Sequence, residues 1–189
     1  MIESAGGGSF SSMSASYLLR WVRSEATESL GSEPNRWLRL IEVASKNAMR
    51  NRNPDERAIF REAALLALEK AQQAGALSPF ESVRRTLSLR ARYMRQGNFD
   101  QEWLRQEASS LFDLLSDSIP IDISAASRLV ELRRDRESWI AAEPEVRNSL
   151  DQAVELLKPV SHIVYYLEAR DRAMIEPWLG LMSKYMMKK

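Results

Sequence analysis

The 189-residue chain reads as all-α, with about eight or nine antiparallel helices forming a compact bundle or a short irregular array of helical hairpins. Three observations give this reading. Apolar residues recur at three- and four-residue spacing along most of the chain. Proline and glycine stops fall between the resulting segments. No segment alternates apolar and polar residues between hairpin turns, so no β-sheet is expected.

The elements follow in order. Residues 1–13 are rich in glycine and serine and read as a flexible leader, and 14–189 as one helical domain with a sub-division near 117–123. A first helix starts near Ser14, carries Tyr17, Leu18, Trp21 and Val22, and ends near Leu30 and Gly31. A second opens at Pro34 and aligns Trp37, Leu38, Ile41, Ala44 and Ala48. Asn53-Pro54-Asp55-Glu56 joins an Asn cap, a first-turn proline and acids placed for the helix dipole, so a third helix begins there and stops at Gly75. Ser78-Pro79-Phe80-Glu81 is a capping box for the fourth, which ends at Gly97. Asp100 caps the fifth. Asp122 or Ser124 opens a sixth that runs through Trp139 and Ile140, and a break at Pro144 precedes the seventh. Pro159 kinks the seventh or starts an eighth over 160–167, and Pro177 opens the last.

Alternate helix starts step by about 40, 47 and 43 residues, within the range of HEAT-type pairs. The stretch from Ala91 to Asp100 resembles the glycine turn of a tetratricopeptide repeat, but no second copy exists and no family follows from it.

Composition removes several chemistries. Without cysteine there is no disulfide framework, thiolate metal site or cysteine nucleophile. His162 is the only histidine, so neither a paired Glu-x-x-His di-iron site nor a His-x-x-x-His zinc site can be built. That histidine reads either as a general base or as a partly buried group bonded to a carbonyl or Tyr166. Asp113 with Asp117, and Glu131 with Asp135, stand four residues apart. They read as solvated faces, or as magnesium-holding pairs of a small helical enzyme. No phosphate-binding glycine loop or nucleophile elbow occurs. No catalytic residue, cofactor or metal is therefore assigned.

Charge points to partners. The stretch from Pro34 to Phe99 holds 13 Lys or Arg against 6 Asp or Glu, and that from Asp100 to Glu176 holds 9 against 16. Arg84, Arg85, Arg92 and Arg95 fall within about 100° of arc on the fourth helix. They suit an acidic protein or nucleic-acid phosphates, unless acids such as Asp100, Glu102 and Glu107 pair with them. The last helix holds more apolar groups than one narrow stripe needs. Trp178, Met182, Tyr185 and Met186 there are candidates for an apolar partner or a second copy, or they close the core.

The sequence thus predicts a non-catalytic protein-interaction module, an adaptor, chaperone, immunity factor or regulator. Nucleic-acid binding is the rival. With no signal peptide or long apolar run in view, a cytoplasmic location is expected; the Ser-rich start also fits a secreted effector without a cleaved signal.

Overall fold

A computed structural model describes residues 13–24, 30–133 and 135–187. These residues are all-helical, with no strand. Except for Met13, the expected leader lies outside them, as do Arg134, Lys188 and Lys189. The chain divides into two compact units, 1–89 and 90–189, and the division falls inside a helix. The stretch 117–123 lies within the second unit.

The first unit holds α1 (Ala15–Arg23), α2 (Pro34–Arg50), α3 (Pro54–Gln73) and the first half of α4 (Pro79–Gln96). Its centre is α3, on which both α1 and α2 pack. The cause is the alanine ladder Ala63, Ala64, Ala67 and Ala71, all buried, whose methyl groups let neighbouring backbones approach closely. Trp37 is 2% exposed and its indole N–H donates to the Gly31 carbonyl at 2.8 Å. That bond fixes the turn into α2.

Local signals set the ends. The Asn53 side chain accepts from the backbone N–H groups of Asp55 and Glu56, at 2.9 and 3.4 Å. At the other end of α3, Ala76 N–H reaches the Ala71 carbonyl at 2.9 Å and Gly75 N–H reaches that of Gln72 at 3.0 Å. This is a Schellman closure with Gly75 at φ +70°. Ser78 accepts from Glu81 N–H at 3.1 Å. One boundary differs from expectation: α1 closes at Arg23, where Ser24 N–H bonds the Arg20 carbonyl. Gly31, at φ +54°, belongs to the turn before α2 instead.

The second unit holds the rest of α4, then α5 (Gln101–Ser118), α6 (Ile123–Leu132), α7 (Arg136–Ala141), α8 (Pro144–Val160), a single 3₁₀ turn Val164–Tyr166 and α9 (Ala169–Met186). Asp100 caps α5 through Trp103 N–H at 2.7 Å. Asp122 caps α6 through Ser124 and Ala125 N–H, both at 2.9 Å. Gly97 is required by close approach, because a Cβ there would lie 1.9 Å from the Phe99 ring. That ring stacks on Trp103 with centroids 4.0 Å apart.

Three expected elements are redrawn. The sixth helix stops at Leu132, because Asp135 caps a separate α7 by accepting from Glu137 and Ser138 N–H. No helix spans 160–167. Pro159 sits in the last turn of α8, and a turn then places Ile163 and Leu167 in the core. Pro177 does not open the last helix but lies inside it. Its missing N–H weakens α9 by about 3 kcal/mol. Burial of Ile175 and Leu181 on either side offsets the loss.

Candidate docking groove beside the last helix

The core of the second unit gathers Ala126, Leu129 and Val130 of α6, Leu150 and Val154 of α8, and Leu181 and Tyr185 of α9. Trp178 and Met182 pack against this cluster half-buried. Of the four candidates on α9, therefore, Tyr185 is buried, Trp178 and Met182 are shared between core and surface, and Met186 is exposed.

The end of α9 is held by Arg133. Its Nη1 donates to the Tyr185 carbonyl at 2.6 Å, one of the last-turn carbonyls that a helix cannot satisfy itself. The same guanidinium lies 4.2 Å from the Tyr185 ring centroid and 5.9 Å from that of Trp139. The Tyr185 hydroxyl donates to Asp151. Burial, reinforced by the Asp151 carboxylate, pushes that hydroxyl up to about 12.

A pH dependence follows. The folded state holds the Tyr185 proton above the ordinary value of about 10, so its contribution is complete below pH ~10 and declines as pH rises through 12. Denaturant titrations across this window should show the wild type losing stability and Tyr185→Phe losing less.

Beside this anchored end, α6 and α9 border a groove of about 460 Å³. Val130, Pro177, Leu181 and Met187 supply its apolar walls, and Ser127, Glu131 and Lys184 its polar rim. Gly180 lines it without a side chain, and a Cβ there would meet nothing within 4 Å. Leu132 is the last residue of α6 and Met186 that of α9. The Arg133–Tyr185 bond ties the two helix ends together, and both neighbours are exposed, as is Met187 at 79%. On the other side of α9 a smaller depression of about 240 Å³ is lined by Phe112, Leu115, Ile119, Met174 and Trp178. The spacing of apolar residues singled out Trp178 and Met186 but not Gly180, Pro177 or Lys184. A glycine inside an apolar helical run was the available signal.

The arginine strip is divided. Glu81 accepts from Arg84 Nε and Nη2 at 2.8 and 2.9 Å and from Arg85 Nε at 2.6 Å. These two arginines of the first unit thus pair within their own helix. In the second unit, Arg92 and Arg95 are exposed and make no ion pair among the described residues. Arg90 reaches the adjoining helix, its Nε lying 2.7 Å from Glu107. Hydrogen bonds from Arg84, then Arg85, hold the Glu81 carboxyl below its usual value of 4.5. That stability is present above pH ~4.5 and is lost as pH falls through the lowered pKa. Acid unfolding curves should be flatter in this window for Glu81→Gln.

The remaining candidates do not assemble. Asp113, Asp117, Glu131, Asp135 and His162 are all exposed. Among the described residues no group of three or more His, Asp or Glu is placed to hold a metal ion. Among the described residues, His162 makes no side-chain hydrogen bond to Tyr166 or to a carbonyl. No helix among those residues is long and apolar enough to cross a membrane. No protein-family model, curated protein or solved structure matches this chain.

Proposed function

We propose that this chain is a non-catalytic protein-interaction module that receives an amphipathic helix of a partner protein in the groove between α6 and α9. The observation that carries the reading is the groove itself, with apolar walls, an empty position at Gly180 and the exposed Met187 in its lining. An apolar cleft with a few polar groups on its rim is the usual form of a helix-receiving site. Methionine side chains conform to varied apolar surfaces, which suits an adaptor or chaperone. Lys184 and Glu131 on the rim would orient the incoming helix by its flanking charges.

Arg92 and Arg95 support a second, acidic contact on the same partner. The nucleic-acid alternative is weakened because Glu81 already neutralises part of the strip. It would require heparin retention with a steep salt dependence that disappears in an Arg92→Gln, Arg95→Gln variant.

The test is affinity capture at physiological salt with the wild type and with Met187→Asp, a change at an exposed position. A protein retained by the first and lost by the second is the expected result. Equal retention by both, or none by either, would remove the groove from this role.

A further inference from the structure

We propose that Met187 is an oxidation site that makes the groove between α6 and α9 redox-sensitive. A peroxide converts its thioether to the sulfoxide and releases the partner, and reduction of the sulfoxide restores docking. The inference rests on the docking proposed for this groove and adds its regulation.

The chain has no cysteine, so methionine is its only sulfur and no thiolate of its own competes for oxidant. Met174, Met186 and Met187 are exposed, at 55%, 48% and 79%. All three belong to α9 or its C-cap. By contrast, Met94 is 1% exposed, and Met182 is half-buried against the core of the second unit. An oxidant must reach the sulfur, so access ranks Met187 first and Met94 last. Of the exposed three, Met187 lines the groove and Met174 lines the smaller depression on the other side of α9. Met186 lines neither.

The step balances with hydrogen peroxide as the co-reactant. A sulfur lone pair forms the S–O bond as the O–O bond breaks. The hydroxide released takes the proton from the transferred oxygen and leaves as water. Sulfur loses two electrons and the peroxide gains them. The product turns a flexible apolar side chain into a polar one. It would stand on a wall shared with Val130, Pro177 and Leu181. An apolar helix face laid over that wall would bury the sulfoxide oxygen without a donor, which disfavours the complex.

The test treats the full chain with dilute hydrogen peroxide and maps the oxygen by peptide mass spectrometry. Affinity capture then compares untreated, oxidised and re-reduced protein, the last prepared with methionine sulfoxide reductases for both epimers. Met187 should gain one oxygen before Met182 and Met94. Captured partner should fall at least about tenfold and return on reduction, with the thermal transition unchanged throughout. Leucine matches methionine closely in volume and has no sulfur. Capture by Met187→Leu, measured against its own untreated sample, should therefore not respond to peroxide, whereas Met174→Leu should respond as the wild type does. Capture that survives full oxidation of Met187, or a loss that persists in Met187→Leu, would overturn the switch and leave the docking groove standing. A thermal transition that falls together with capture would assign the loss to the core and overturn the switch likewise. Untreated protein that captures nothing would remove both.

Discussion

Trp37→Ala should destabilise the first unit by about 3–5 kcal/mol, the largest stability effect expected of any single change in that unit. The side chain is fully enclosed among α2 and its neighbours, and its removal leaves a cavity that close-packed alanines on α3 cannot refill. The same change leaves the Gly31 carbonyl without its donor. Thermal unfolding followed by far-ultraviolet circular dichroism should fall by roughly 12 °C or more, given about 4–8 °C per kcal/mol for a domain of this size. Trp37→Phe should keep most of the packing, lose the indole bond, and cost about 1–3 kcal/mol. A Trp37→Ala transition within 3 °C or so of wild type would mean that this side chain does not organise the unit.

Gly180→Gln should do the reverse, leaving the fold intact or slightly firmer while abolishing partner binding. A glycine inside a helix costs about 0.5–1 kcal/mol relative to alanine. Space is open around its missing Cβ, so a good helix former there meets no clash. The glutamine side chain would then occupy the groove between α6 and α9, and partner affinity should fall at least about thirtyfold, roughly 2 kcal/mol. Gly180→Ala should gain the stability and keep most of the affinity. This pair separates a binding surface from a structural one, because a residue that only supports the core cannot lower affinity while raising the melting temperature.

The helices with local signals were legible in the sequence. Asn53, Ser78, Asp100 and Asp122 each cap a helix by bonding N–H groups two or three residues onward, and such bonds are written into adjacent residues. Proline was over-read. Pro177 looked like a boundary and Pro159 like a kink or a boundary, yet each lies within a helix whose flanking residues are buried by tertiary packing, and local propensity yields to that burial. The break between α6 and α7 was present in Asp135 and Ser138 but masked by the continuing apolar spacing through Trp139.

The candidate surface was legible by half. Spacing at 100° per residue places Trp178, Met182 and Tyr185 on one arc of α9 and Pro177, Gly180 and Lys184 on another. It does not tell which arc a neighbouring helix covers. Burial of Tyr185 against α6 and α8 assigns the first arc largely to the core and leaves the second facing the groove. Arg133 carried no signal at all, since its partner Tyr185 is 52 residues away in sequence. For Arg84 and Arg85 a neutralising acid is Glu81, three and four positions earlier on the same helix.

Site-specific photo-cross-linking tests the docking surface most directly. A benzophenone side chain is placed at Lys184 on the groove rim, and in a control at Asp113, an exposed position that lines neither of the depressions beside α9. The expected result is one covalent adduct from Lys184, mapping to an amphipathic helical segment of the partner, and none from Asp113. An adduct of the same protein from Asp113 alone, or from both positions equally, would contradict docking in the groove between α6 and α9.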